Sequence, residues 1–430
     1  MKLDERDKKL IWHPFTQEKT ADLPIAIKKA KGSYIYDEQG TAYLDLISSW
    51  WVNLHGHGHP EIAKSIYKQA MLLEHVIFAG FTHEPAVVLC ECLKKILPKS
   101  LVRFFFSDNG STAVEIALKM AYQYWYNKGK KHRKLFISFE GGYHGDTFGS
   151  MSVGKKSGFH NPFSSLLFDV VTLPYPHTWD DDPTCEIKEQ ASIKKLKEQL
   201  DKNGDKVAAI ILEPLVQGAS GMRVCRLEFV REVVEIVRSY DILVIFDEVM
   251  TGFGRTGTYF ASEQIGLDPD FICISKGITG GFLPLALTIT TQKVYEAFLD
   301  DNCDKAFLHG HSYTANPIAC AASIASFKIL TSQNTKLSIK NIFQLHKKGI
   351  ENLRNTHLDK IKNTRIKGTI SAFEISSEKN VNEQLKSAFL KKGLLIRPLD
   401  NTIYLLPPYS ITQEELDNTY KEISKILDKL

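Results

Sequence analysis

The chain has 430 residues, and 54 Lys and Arg stand against 50 Asp and Glu, a formal charge of only +4. That balance is too mild for an electrostatic footprint on nucleic acid. With 43% hydrophobic residues and 27 glycines, the composition is that of packed globular domains and excludes disordered and collagen-like chains. At about 150 residues per domain it allows one large domain with a smaller companion, or roughly three units at most.

Seven cysteines, odd in number and without a Cys-x-x-Cys pair, argue against a disulfide framework or a zinc module. Residues 1–10 mix acids and bases with no apolar signal core, and no run approaches the roughly 18 apolar residues of a membrane helix. The expectation is a reduced, cytoplasmic protein with no membrane or nucleic-acid partner.

In chain order, residues 1–75 supply a hairpin-like segment at 32–46 and a helix after Pro60, expected to pack with the C-terminal unit. Residues 76–333 form the large domain. Its helix at 111–126 carries Val114, Ala117, Leu118 and Ala121 on one face. Strand-like runs follow at 134–139, 168–173, 207–213, 242–247, 271–275 and 283–290, with helices at 187–200 and 227–240 between them. This alternation predicts an α/β fold with a mostly parallel central sheet covered on both faces. Residues 334–430 read as a small α+β domain: a long helix, strands at 366–375, 393–397 and 402–406, and a last helix opened by the capping box Thr412-x-x-Glu415.

Ligands of open α/β sheets sit beyond the carboxyl ends of the strands, so polar residues there carry the chemistry. Asp247 ends Ile242-Leu-Val-Ile-Phe-Asp, Lys276 ends Phe271-Ile-Cys-Ile-Ser-Lys, and Ser107-Asp-Asn-Gly-Ser-Thr opens the helix at 111–126. Taken singly, they read as a strand-end cap, a solvated surface amine and an ordinary N-cap turn. Together they are the parts needed to hold pyridoxal 5'-phosphate: an acid for the ring nitrogen, an amine for the aldehyde and a helix N-terminus for the phosphate. Tyr143, in Gly141-Gly-Tyr-His-Gly, offers an aromatic plate for the ring or else a core aromatic beside a turn.

Five motifs, Ser107-Asp-Asn-Gly-Ser-Thr-Ala, Gly142-Tyr-His-Gly-Asp-Thr, Leu212-Glu-Pro, Phe246-Asp-Glu-Val-Met-Thr-Gly-Phe-Gly-Arg-Thr-Gly and Ser275-Lys-Gly, resemble those of class III pyridoxal-phosphate aminotransferases. The resemblance spans nearly the whole chain. It is closest to the biotin-pathway branch of that class, on Trp12-His-Pro-Phe-Thr-Gln, Ser48-Ser-Trp-Trp, Gln217-Gly-Ala-Ser-Gly-Met, Lys276-Gly-Ile-Thr-Gly-Gly, His309-Gly-His-Ser-Tyr-Thr-Ala-Asn-Pro and Ile396-Arg-Pro.

The resemblance implies a fold-type I homodimer that aminates 8-amino-7-oxononanoate to 7,8-diaminononanoate by ping-pong kinetics. S-adenosylmethionine is the usual donor. By position it implies Lys276 as the Schiff-base lysine, Asp247 at the pyridine nitrogen, Tyr143 on the ring, and Gly110 with Ser111 at the phosphate. His311 and Ser312 would complete the phosphate site from the other subunit. Trp50 would wall the substrate tunnel beside Phe15, Gly310 would touch substrate, and Arg397 would grip the acceptor's carboxylate with its planar fork. Adenosylmethionine users carry Tyr where this chain has Phe15, and some relatives with Phe resemble lysine users, so lysine is the second candidate donor. Ser312 stands where those relatives have Thr and keeps the hydroxyl. Met250 stands where ornithine and GABA aminotransferases carry Gln, which favours other substrates, with another class III omega-amine or diamine aminotransferase as the alternative activity.

The tract His55-Gly-His-Gly-His lacks the cysteine or carboxylate company of a zinc site, so no metal is expected. The basic run 128–134 joins a helix to a strand and reads as a solvated loop. Glu213 and Arg255 are expected near the cofactor end of the sheet, without an assigned role.

Overall fold

The computed structural model describes residues 2–154, 160–377 and 381–430. The N-terminal region forms β1 (Ile27–Lys31), β2 (Tyr34–Asp37) and β3 (Ala42–Asp45), a meander continued by β15 (Leu394–Leu395) from far along the chain. The large sheet consists of β4 (Leu101–Ser107), β5 (Leu135–Phe139), β6 (Val170–Leu173), β7 (Val207–Leu212), β10 (Leu243–Asp247), β11 (Phe271–Ile274) and β12 (Ala286–Thr291), in the order β4-β12-β11-β10-β7-β5-β6. A two-stranded ribbon, β8 (Val216–Gln217) with β9 (Arg223–Val224), projects from it, and a third sheet pairs β13 (Ile361–Lys367), β14 (Ile370–Ile375) and β16 (Thr402–Leu405).

The sheet is mixed at one place: β12 runs antiparallel to both β11 and β4, and the remaining pairs are parallel. Two antiparallel steps restore direction, so β4 points the same way as β11. The carboxyl ends of β4, β5, β7, β10 and β11 therefore share one edge, and β12 begins there. The expected run at 283–290 starts as a strand only at Ala286, and the expected strand at 393–397 is paired only at Leu394–Leu395. Leu283, Pro284 and Leu285 at the first place and Arg397 at the second line the cavity described below. The strand Leu101–Ser107 was not anticipated, because its run Leu-Val-Arg-Phe-Phe-Phe-Ser lacks a regular alternation.

Strand residues alternate between two buried layers, as a period of two requires. Val244 and Phe246 pack with Ile193, Leu196, Val230 and Val233 of the helices Cys185–Asn203 and Leu227–Ser239. Leu243 and Ile245 pack with Val114, Ala117 and Ala121 of the helix Gly110–Asn127. Asp247 continues the second row and emerges beside the start of that helix. The C-terminal helix Gln413–Leu427 opens with the expected capping box: Thr412 accepts from the Glu415 N–H at 3.2 Å while Glu415 accepts from the Thr412 N–H at 2.7 Å.

Candidate active site

At the shared strand edge lies a cavity of about 850 Å³. Its floor is built by the sheet. Asp247 is 4% exposed; its Oδ1 accepts from the Val249 N–H at 3.1 Å, and its Oδ2 lies 2.7 Å from His144 Nδ1. Burial works against a charge on His144, yet the Asp247 hydrogen bond and the charges of Asp247 and Glu213 outweigh it and raise the imidazole's pKa.

Lys276 follows β11 with φ of 42°, a left-handed backbone that turns its side chain into the cavity. Burial lowers the pKa of its amine, with Asp247 and Glu213 pulling the other way. The Nζ lies 4.9 Å from the centre of the Trp51 ring, whose indole N–H donates to Tyr404 Oη at 3.1 Å. A desolvated lysine whose neighbours are an indole face and two acids is a nucleophile in waiting.

The third wall is the helix Gly110–Asn127, whose N-cap Asn109 accepts from the Thr112 N–H at 3.0 Å. A side chain at Gly110 would strike Val249 at 2.7 Å. Ser111 Oγ accepts from the Asp146 N–H at 3.0 Å, which leaves the hydroxyl proton free to be donated elsewhere. Gly145 has φ of 121°, and an added Cβ would collide with the Ser111 side chain, so the loop carrying Tyr143 and the helix start interlock. Tyr143 is held at both ends: its N–H donates to Glu213 Oε1 at 3.0 Å and its Oη to Asp146 Oδ2 at 2.8 Å. The His160 ring stacks on it with centroids 6.0 Å apart.

The mouth comes from the chain's two ends. Phe15 meets Trp50 edge to face at 5.5 Å, and the Arg397 guanidinium lies 4.9 Å from the Trp50 ring centre. No carboxylate of the described residues forms an ion pair with Arg397. Phe282, Leu283, Pro284 and Leu399 complete an apolar rim. The residues Ser48, Ser49, Trp50 and Trp51 have φ of 52°, 46°, 73° and 75°. The Trp51 N–H donates to the Ile47 carbonyl at 2.8 Å and the Val52 N–H to the Ser48 carbonyl at 3.0 Å, closing a left-handed helical turn. For L-residues this costs about 1–2 kcal/mol each.

The structure thus gathers Phe15, Trp50, Gly110, Ser111, Tyr143, Asp247, Lys276 and Arg397 around one cavity. Gly310, His311 and Ser312 do not line it; Gly310 and Ser312 are exposed, and His311 Nε2 is buried with no hydrogen-bond partner among the described residues. Two contributors were not assigned from sequence. His144 was visible only as the neighbour of Tyr143. Glu213 lines the cavity, with Oε2 accepting from the Gly218 N–H at 2.9 Å. Burial, aided by Asp247, drives its carboxyl up to about 7.

Arg255 is not a cavity residue. It donates to the carbonyls of Pro407 at 2.8 Å and Asn53 at 2.9 Å, tying the two chain ends together. In the histidine tract, His55 Nε2 lies 3.0 Å from Ser326 Oγ, and burial holds its pKa down to about 3. Within the basic run, Arg133 donates to the carbonyls of Val207, Asp241 and Tyr240.

A mostly parallel sheet with a buried acid, a buried amine and a helix start at one edge defines a class. The aminotransferase class-III model matches residues 15–427, and the chain belongs to that family, whose members depend on pyridoxal phosphate. It is similar to the adenosylmethionine-8-amino-7-oxononanoate aminotransferase of Synechococcus elongatus, 48% identical over 98% of this chain and 99% of that one. The enzyme of the same name from Geobacter sulfurreducens is 39% identical over 96% and 95%. The crystal structure of the Methanocaldococcus jannaschii enzyme of that name superposes with a TM-score of 0.92 at 34% identity, covering 99% of this chain and 98% of that one. Among the described residues no helix is long and apolar enough to cross a membrane.

Proposed function

We propose that this chain is the transaminase that converts 8-amino-7-oxononanoate to 7,8-diaminononanoate in biotin synthesis, with S-adenosylmethionine or lysine as donor and ping-pong kinetics. The observation that carries the reading is the shared name of relatives 36–48% identical over nearly the whole chain. The geometry supports it. An apolar passage with a guanidinium at its mouth that pairs with no carboxylate among the described residues, and an amine at its floor, suits an acid whose reacting carbon lies several methylenes from its carboxylate.

The residues present fit pyridoxal 5'-phosphate. Gly110 and the Ser111 hydroxyl, whose proton is available to donate, suit the phosphate, Tyr143 suits a ring face, and the Asp247 carboxylate suits a protonated ring nitrogen. When bound, the cofactor supplies an electron sink for the carbon that bears the amine. Asp247, oriented by its contact with His144, is placed to maintain the ring-nitrogen charge on which that sink depends. Lys276 would hold the cofactor through its amine, and its buried Nζ is placed to move a proton at the reacting carbon. Trp51 and Tyr404 keep water from Nζ. Arg397 binds the acceptor's carboxylate, with Trp50 beneath it and Phe15 at its edge.

A homodimer is part of this proposal. Gly310, His311 and Ser312 would serve the cavity of a second copy, and the exposed Ile77, Phe81, Leu308 and Tyr313 offer an apolar face around them. Sedimentation should give twice the mass of one chain.

The test is a product assay for 7,8-diaminononanoate with the two donors supplied separately. Formation with either supports the proposal and names the donor. Turnover of simple omega-amines without any 7,8-diaminononanoate would replace it with an omega-transaminase activity, the one for which a Pseudomonas jessenii neighbour at 26% identity and a TM-score of 0.92 is named.

A further inference from the structure

The left-handed turn at 48–51 contains no glycine, so something must hold four L-residues against their preference. The holder is Asp45, fully buried at the end of β3. Its Oδ1 accepts from the Ile47 N–H at 3.3 Å and the Ser49 N–H at 2.9 Å. Its Oδ2 accepts from the Ser49 hydroxyl at 2.7 Å and lies 2.9 Å from His57 Nε2. Four donors converge on two oxygens, which a carboxylate satisfies and an amide, with one acceptor atom, does not.

Asp45 is also fixed to the segment that carries the guanidinium. In the parallel pair β3·β15 it stands opposite Leu395, two residues before Arg397, and the Leu46 N–H donates to the Leu395 carbonyl at 3.2 Å. Trp50 and Arg397 therefore spring from the same pair of strands, and the shape of the turn decides whether the indole reaches the guanidinium. One residue further, the same turn sets Trp51 beside Lys276.

We propose that Asp45 is a positioning residue for acceptor recognition: by clamping residues 48–51 in a left-handed turn, it fixes Trp50 as the platform of Arg397. Asp45 itself touches neither substrate nor cofactor. The inference rests on the reading of Arg397 as the carboxylate grip. It separates from that reading because the turn can be observed without substrate.

The test uses the full-length, cofactor-loaded enzyme with Asp45→Ala or Asp45→Asn, each with and without Ser49→Gly. Near-ultraviolet circular dichroism without substrate reports the packing of the indoles. Steady-state assays compare the oxo-acid acceptor with an analogue that carries a methyl group in place of the carboxylate. Asp45→Ala should weaken the indole bands and raise KM for the acid about tenfold, the scale of one lost charged hydrogen bond. KM for the methyl analogue should stay within about twofold, because that analogue never engages Arg397. Asp45→Asn should lie between, and it carries the test if the Ala variant does not fold. Glycine accepts a left-handed φ without strain, so Ser49→Gly should restore part of the loss.

Unchanged indole bands and KM in both Asp45 variants would overturn the proposal. So would equal losses for both acceptors with no recovery by Ser49→Gly, since that pattern marks a residue that only stabilises the fold. If the unmodified enzyme ignores the oxo-acid, the functional reading fails, and the indole bands still decide whether Asp45 holds the turn.

Discussion

The floor and the mouth of the cavity are built in opposite ways. On the floor, Asp247, Glu213 and Lys276 stand at the carboxyl ends of buried strands of one sheet; hydrogen bonds hold the two acids, and the Trp51 ring lies beside the amine. At the mouth, Phe15, Trp50 and Arg397 come from the two ends of the chain and meet through ring faces. The floor is preorganised for a step common to a whole family. The mouth is an assembly of side chains whose replacement should alter which substrate is admitted. Substitutions in the floor should therefore remove turnover whatever the substrate, and substitutions in the mouth should divide one substrate from another.

The largest effect is expected at Lys276. Lys276→Ala should lower turnover by about 1000-fold or more, while phosphate contacts retain some cofactor; single-turnover assays and cofactor content measure the two separately. Next, Asp247→Asn should cost about 100-fold in kcat with either donor and lower the pKa of His144, which NMR of the imidazole would detect. An effect confined to one substrate would remove the distinction between floor and mouth.

Arg397→Ala should raise KM for the oxo-acid by about 10- to 100-fold, the range of a lost charge-assisted hydrogen bond. Arg397→Lys should recover only part, because an ammonium lacks the planar fork. Neither should much change kcat for an amine acceptor without a carboxylate.

Glu213→Gln sharpens the comparison through pH. Folding raises this carboxyl from 4.5 to about 7. Between those values the folded chain binds more protons than the unfolded one, so stability falls as pH rises through that window. The Gln variant should lose this share of the slope, leaving that of Glu248, also buried and raised to about 7. It should be about 1–3 kcal/mol less stable at low pH, because an amide cannot accept from both Tyr143 and Gly218. Thermal unfolding across pH 4.5–8 measures both changes. The smallest effect belongs to Phe15→Tyr, which should shift the rate ratio of adenosylmethionine to lysine by about fivefold, the worth of one hydrogen bond. An unchanged ratio would detach Phe15 from donor choice.

The floor was legible in the sequence because its residues lie next to their strands. Asp247 and Lys276 each close an apolar run, and Ser111 opens an amphipathic helix. Glu213 also follows a strand, yet its function in holding the Tyr143 loop depends on a backbone N–H from another connection, which no local pattern announces. His144 became meaningful only when it met Asp247, 103 positions away along the chain. The mouth residues were nameable by family resemblance alone, since nothing near Arg397 or Phe15 in the chain distinguishes them from surface residues.

The sequence by itself determined the alternation of strands and helices, and with it the edge at which chemistry had to sit, because burial on both faces imposes a readable period on each strand. Only the tertiary structure decided that β12 reverses direction, that Arg255 ties chain ends instead of lining the cavity, and that four L-residues, Trp50 among them, wind left-handed. Those outcomes depend on partners distant in the chain, and on carboxylates such as Asp45 whose four hydrogen bonds exist only once the strands have met.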